Sequence, residues 1–170
     1  YTFGASNGPQ AADSAEFMLV AGVGGRLHPP GYPFLQSWFS VWQLLPFGTV
    51  AWKTSMACGL LGAAALGLLT DGVYRWLGSK PSALWCSVML GVQPLWIRYC
   101  TISEAFTSAA VVYAAFFWLS IRLQKDRSAL NAIMLGVIFA LGIASHHVFL
   151  FAAPLYLWMV WCLRHHLLLI

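Results

Sequence analysis

The chain is 170 residues long, 60% hydrophobic and only 8% charged, with nine tryptophans and a formal net charge of +4. Its mean hydropathy of +0.73 leaves too little polar surface for a soluble domain and places it among polytopic membrane proteins. A nucleic-acid partner is excluded, because the nine Lys and Arg residues are scattered between apolar runs and form no basic patch. The cysteines, Cys58, Cys86, Cys100 and Cys162, show no CxxC spacing, which argues against a disulfide framework and against a thiolate metal site.

Residues 1–50 form a first unit ahead of the long apolar runs. Residues 1–11 are punctuated by Gly, Asn and Pro and read as loop. A short helix is predicted at about 12–23, ending at the Gly24-Gly25 pair, where helix propensity is lost. Two of the chain's five carboxylates, Asp13 and Glu16, stand i,i+3 in its first turn and share one face. A rigid turn follows, His28-Pro29-Pro30-Gly31-Tyr32-Pro33. The next segment, 33–45, is too short to cross about 30 Å of hydrocarbon. Its polar stripe of Gln36, Ser40 and Gln43 opposes Phe34, Leu35, Trp38, Phe39, Val41 and Trp42, which predicts a helix lying in the interface with its tryptophans at headgroup level.

Residues 51–170 predict a bundle of five spans: Thr54–Thr70, Ser82–Ile97, Ala105–Ile121, Ala129–Ser145 and Val148–Leu163. Ser55, Gly59, Ala63 and Gly67 put small residues on one face of the first span, as close helix packing requires. The chain begins at Tyr1 without an initiator Met and stops within the apolar run 167–170, so it reads as part of a longer membrane protein.

Charge orients the bundle. Arg75, Lys80, Arg122, Lys125, Arg127 and Arg164 fall in turns on one side, which the positive-inside rule makes cytoplasmic. Asp71 lies among them as an i,i+4 partner of Arg75. The opposite side then collects Asp13, Glu16, His28, Arg98, Glu104, His146 and His147 from three separate loops. Taken singly, each has an ordinary reading: Asp13, Glu16 and Glu104 as acids at helix starts, His28 as a turn residue, His146 and His147 as interfacial imidazoles. Their convergence on one face points to acid–base chemistry. A carboxylate there can take a proton from a hydroxyl, while Arg98 and the histidines face negative charge developing on a leaving phosphate.

The motifs Asp13-Ser14-Ala15-Glu16-Phe17, His28-Pro29-Pro30-Gly31-Tyr32-Pro33, Leu45-Pro46-Phe47-Gly48-Thr49-Val50-Ala51, Ser103-Glu104-Ala105-Phe106 and Ser145-His146-His147, in this order, resemble the N-terminal module of the GT-C membrane glycosyltransferases. Within them the chain is most similar to a protein O-mannosyltransferase-like subgroup, first described as a domain of unknown function, that includes the eukaryotic transmembrane protein 260. The resemblance implies an all-α, polytopic GT-C bundle with two short juxtamembrane helices in a large first external loop. A further membrane helix would precede Tyr1, and others would follow residue 170. It implies an inverting transfer of a mannose-like sugar from a polyprenyl-phosphate donor to a hydroxyl on a protein or glycan. The active site would be periplasmic or lumenal, in a bacterial inner membrane or the endoplasmic reticulum.

Carried over by residue, Asp13 would be the catalytic base and Glu16 its partner. His28 would shape the loop, Glu104 would be the acid of the second external loop, and His147 would match the family's histidine. Three positions depart from the pattern: Ala15 replaces a glycine, His146 stands where Asn or Gln is expected, and Arg98 is outside it, so its phosphate role rests on position alone.

Two other readings stand beside this one. A transporter or channel would use the acidic and histidine residues as an ion path, but it needs ionisable residues inside the spans, which are nearly free of them. A divalent metal such as Zn or Mn suits His28, His146, His147 and the carboxylates by ligand type. Their dispersal gives no spacing signature, so no residue is assigned as a ligand and no cofactor is fixed.

Overall fold

The structure is a computed structural model that describes residues 4–10, 13–29 and 31–167, with side chains described as far as Cys162. Ala12, Pro30 and the Arg164 side chain lie outside the described residues. Every regular element among them is helical: α1 Ser14–Val23, α2 Pro33–Gln43, α3 Val50–Leu77, α4 Lys80–Gly91, α5 Pro94–Thr101, α6 Phe106–Lys125, α7 Ala129–Ser145, a 3₁₀ turn His147–Ala152, and α8 Ala153–Leu167.

Two of these helices, α3 and α6, are long and apolar enough to cross a membrane, and they pair along their length to form the spine of the bundle. The helix α3 is much longer than the stretch predicted from hydropathy. Thr49 caps it by accepting the Trp52 N–H at 3.1 Å, and Gly78 ends it in the left-handed region at φ 70°. Its charged residues continue the helix because each has a partner. The Lys53 ammonium donates to the carbonyls of Leu45 at 2.7 Å and Gln43 at 3.3 Å. Asp71 accepts from Arg75 Nε and from Trp118 Nε1, both at 2.5 Å. The i,i+4 pair expected at Asp71 and Arg75 is thus present.

Three expectations need correction. The predicted span Val148–Leu163 opens as the 3₁₀ turn His147–Ala152, and α8 starts only at Ala153, with Pro154, which lacks an N–H, in its first turn. The predicted span Ser82–Ile97 is not one helix: it divides into α4 and α5. Pro94 has no N–H to continue the ladder and restricts the residue before it, so Gln93 is extended at ψ 130° and a new helix begins. The small-residue face of α3 is also displaced. Of Ser55, Gly59, Ala63 and Gly67 only Ser55 is buried; the covered face runs through Thr54, Cys58, Leu61, Gly62, Ala65, Gly72 and Val73. A Cβ at Gly62 would collide with Cys100 of α5, and one at Gly72 would meet the Phe117 ring of α6 at 2.8 Å.

The helices α1 and α2 fold over the N-terminal end of α3. Phe17, Val20, Leu27, Tyr32, Leu35 and Phe39 form one core with Ala57, Cys58, Leu61 and Ala105. A second core joins α6, α7 and the 3₁₀ turn through Val112, Phe116, Leu119, Leu123, Leu135 and Phe149, with Met159 of α8. The amphipathic reading of α2 holds, with Leu35 and Phe39 buried. Trp38, however, is turned inward and donates its indole N–H to the Ala57 carbonyl at 3.1 Å. All four cysteines are free.

The bundle has two chemically distinct ends. At one, Lys125 Nζ donates to the Arg75 carbonyl, and Arg75 and Arg122 lie over the Trp118 ring at 5.8 and 4.8 Å. At the other, α1, α2, the start of α6 and the end of α7 meet.

Candidate active site

Asp13 occupies the N-cap of α1, yet its carboxylate makes no capping hydrogen bond. The carboxylate is thus not held by its own helix, while its charge still suits the positive end of the helix dipole. Glu16, one turn on, is directed out of the helix as well. Its Oε1 accepts the His28 backbone N–H at 2.6 Å, and its Oε2 accepts from His28 Nδ1 at 2.7 Å. With Nδ1 donating to Glu16, the other ring nitrogen, Nε2, is left 3.7 Å from Asp13 Oδ2 and 3.4 Å from the Tyr32 hydroxyl.

The loop that delivers His28 is built for the purpose. Gly24 and Gly25 end α1 at φ 83° and 126°, and Gly31 turns the chain again at φ 87°. Tyr32 is the sole non-glycine among the described residues with positive φ, at 43°, although the proline after it favours an extended backbone. Such a conformation costs on the order of 1–3 kcal/mol. It is over-determined by packing: Tyr32 is buried, with Phe17 edge-on at 5.4 Å and His28 at 5.4 Å. Gln36 closes the loop from α2 by donating to the Gly25 carbonyl at 2.8 Å.

Electrostatics follow from these contacts. The hydrogen bonds from His28 hold the Glu16 carboxyl below its ordinary value. The Glu16 hydrogen bond raises the His28 imidazole against the opposing effect of burial, helped by the charges of Glu16, Asp13 and Glu104. Burial, then the surrounding carboxylates, raise Tyr32 and keep its hydroxyl protonated.

Glu104 enters from the loop between α5 and α6. Its side chain is only 3% exposed and its Oε1 has no hydrogen-bond partner among the described residues. Burial first, and the Asp13 charge second, push its carboxyl up, opposed by the backbone N–H groups of Ala105 and Asp13 and by the Arg98 charge. Asp13, Glu16 and His28 form one centre, and Glu104 lies within reach of their charges.

The remaining predicted residues stand around it. His146 packs at 6.1 Å from the Tyr32 ring, and the exposed His147 stacks on His146 at 4.8 Å. Burial and the neighbouring His147 lower His146, in keeping with its Nδ1 accepting the Val148 N–H at 3.3 Å. Arg98 lines an adjacent cavity of about 660 Å³ with Gly4, Ser6, Gln10, Ile97 and Thr101. Asp13, Glu16 and His28 each offer a metal-ligand atom, all within 4.8 Å of one another. Because Nδ1 is hydrogen-bonded to Glu16, an ion on His28 would take Nε2, with Asp13 and the remaining lone pairs of Glu16; His146 and His147 are not in that group.

Sequence reasoning missed Tyr32, Gln36 and the pair Thr54 and Ser103. Tyr32 and Ser103 lie within quoted motifs, but nothing in their spacing marks a role. The role comes from a left-handed backbone and from a contact made 49 residues away along the chain.

The sequence profile of the family described as "Protein O-mannosyl-transferase TMEM260 N-terminal domain" matches residues 13–168. The chain belongs to that family. Protein O-mannosyl-transferase TMEM260 of Mus musculus is 32% identical over 127 residues, covering 71% of this chain and 18% of the mouse protein. The Dictyostelium discoideum protein O-mannosyl-transferase tmem260 is 31% identical over 120 residues, 68% of this chain and 14% of its own length. The chain thus spans less than a fifth of the curated relatives it matches. No solved structure matches it. The family match begins at Asp13, so the carboxylate–imidazole centre and the Glu104 loop both lie within the shared region.

Proposed function

We propose that this chain carries the catalytic face of an inverting membrane glycosyltransferase of GT-C type. It moves a mannose-like sugar from a polyprenyl-phosphate donor to a hydroxyl on a protein or glycan. The observation that carries the reading is Asp13: a carboxylate outside any capping bond, beside an imidazole fixed by Glu16, in a family whose curated relatives are named protein O-mannosyl-transferases. The acceptor hydroxyl gives its proton to Asp13 as its oxygen bonds to the anomeric carbon. The bond from that carbon to the phosphate oxygen breaks, and polyprenyl phosphate leaves with the electron pair.

Glu16 holds His28, and His28 holds the loop that shapes the site. Arg98, in the cavity it lines with Thr101 and Ile102, meets the phosphate. His146 and His147 border the sugar from the far side of Tyr32. The face is periplasmic or lumenal, in a bacterial inner membrane or the endoplasmic reticulum, because the basic residues Arg75, Arg122 and Lys125 gather at the opposite end. The lipid bilayer is then a partner as much as a solvent, since it presents the donor.

The test is Asp13→Asn in the full-length protein that carries this chain, assayed by single-turnover transfer from polyprenyl-phosphate mannose beside donor binding. Transfer should fall by about 10²–10⁴-fold, the usual worth of a positioned base, with donor binding little changed. Glu16→Gln should cost less. Near wild-type transfer by Asp13→Asn removes Asp13 from the mechanism.

A further inference from the structure

The loop 102–105 that carries Glu104 is irregular, and an irregular loop with a buried carboxyl needs something to hold it. Two residues of α3, one turn apart, do so. Thr54 Oγ1 and Ser103 Oγ lie 2.5 Å apart, both fully buried. Cys58 Sγ donates to the Glu104 carbonyl at 3.5 Å. From the other side, Ser108 of α6 donates to the Ala105 carbonyl at 2.7 Å.

The direction of the hydroxyl pair can be worked out. Thr54 Oγ1 also lies 3.0 Å from the Val50 carbonyl and 3.1 Å from the Ala51 carbonyl of its own helix. A hydroxyl has one proton. Carbonyls only accept, so the Thr54 proton goes to its helix and Ser103 donates to Thr54. The loop is thus bound through a donor on Ser103 that has no other partner among the described residues, in surroundings where an unmade hydrogen bond is expensive. Two residues further on, Ala105 packs in the core that holds Phe17 and Val20 of α1.

We propose that the buried Thr54–Ser103 pair is a positioning element for the catalytic carboxylates: it docks the 102–105 loop on α3, which fixes Glu104 and lets Ala105 seat α1, the helix that Asp13 opens. Thr54 and Ser103 are positioning residues, since neither touches the reacting atoms. The proposal rests on the reading of Asp13 as the base, and it supplies what that reading lacks, a reason for Asp13, whose side chain makes no capping bond, to keep one position at the start of α1. It also gives the buried hydroxyls a role that helix packing does not require.

The experiment compares Thr54→Val, Thr54→Ser, Ser103→Ala and Asp13→Asn in the full-length protein. Amide hydrogen exchange at residues 13–16 and 102–105 is read beside kcat and KM for transfer from polyprenyl-phosphate mannose. Thr54→Val should raise exchange about tenfold in both segments while α3 and α6 stay protected. It should lower kcat by about tenfold or more, with KM for the donor within about twofold, as displacement of a catalytic group does. Thr54→Ser keeps the hydroxyl and should restore both. Ser103→Ala removes the donor without stranding one, so it gives the same pattern in a milder form and serves if Thr54→Val fails to fold. Exchange that rises at 102–105 but not at 13–16, or that rises uniformly through α3 and α6, overturns the proposal. Wild-type transfer by Asp13→Asn overturns the catalytic reading instead, and leaves the exchange data to judge the coupling of the loop to α1.

Discussion

At the residue scale, the Glu16–His28 bond ties pH to the shape of the site. Glu16 titrates below its ordinary 4.5 in the folded chain, so its contribution to stability is complete above pH 4.5 and is lost as pH falls through the lowered value. His28 titrates above its ordinary 6.5, so its contribution is complete below pH 6.5 and is lost as pH rises through the raised value. Both hold between about pH 4.5 and 6.5, and the loop is best fastened there. The thermal midpoint of the detergent-solubilised protein should therefore decline above pH 6.5, and His28→Gln should remove that part of the decline. Curves for the two proteins that run parallel above pH 6.5 would show that the pair does not fasten the loop. Tyr32 offers a second handle. Tyr32→Phe keeps the ring against Phe17 and His28 but removes the hydroxyl 3.4 Å from Nε2, so stability should hold while the pH dependence assigned to His28 shifts. A spectroscopic titration of the His28 ring in both proteins reads that shift directly.

At the scale of elements, helix contacts are decided by single glycines. Gly142 of α7 faces Phe149, and a Cβ there would run into three ring atoms. Phe149 is itself 1% exposed among Tyr113, Phe116 and Phe139, so it cannot yield. Gly142→Ala should cost about 1–3 kcal/mol as overpacking does, and should displace His146, whose N–H bonds the Gly142 carbonyl. Gly67 of α3 has nothing within 4 Å, so Gly67→Ala should be neutral or stabilising by up to about 1 kcal/mol. Unfolding midpoints in one detergent check both, and a costly Gly67→Ala would mean that the face is covered in the full-length protein. The same contrast shows what sequence can and cannot supply. Periodicity and caps located α1, α2, α6 and α7 closely, because apolar runs and Gly, Ser or Pro boundaries are local signals. A ladder of small residues marks a face that is able to pack, but the neighbour chooses, and α5 and α6 settle on Gly62 and Gly72. Pro94 was in plain view, yet continuous hydropathy across it concealed the break between α4 and α5.

For the whole molecule, orientation is the testable property. In a background lacking Cys58, Cys86, Cys100 and Cys162, single cysteines at Asn7 and Ser37 should react with an impermeant thiol reagent from outside intact cells or vesicles of defined sidedness. Those at Ser79 and Gln124 should react only after permeabilisation. Labelling of Ser79 from outside would place the basic end on the active side and remove the topological argument for the site. That argument is also why Asp13, Glu16, His28, Glu104 and His146 were legible as a group before any contact was known. Charge asymmetry assigns loops to a side without knowing their fold. It could not separate Arg98, which lines its own cavity, nor find Thr54, which is a membrane-helix hydroxyl like many others. The spacing of the centre along the chain has one more consequence, for the order in which it is assembled. Glu16 and His28 are twelve residues apart, whereas Glu104 is made about ninety residues after Asp13. Closing the longer loop costs about 2 kcal/mol more in chain entropy, and it must wait for α3 and α6 to pair. The acid–imidazole couple can therefore form while the chain is still being synthesised, and the third carboxyl arrives on a site already half built. A lesion in the α3–α6 seam would then yield protein with an intact Glu16–His28 couple and an unanchored Asp13, a species silent in binding assays that report only the loop.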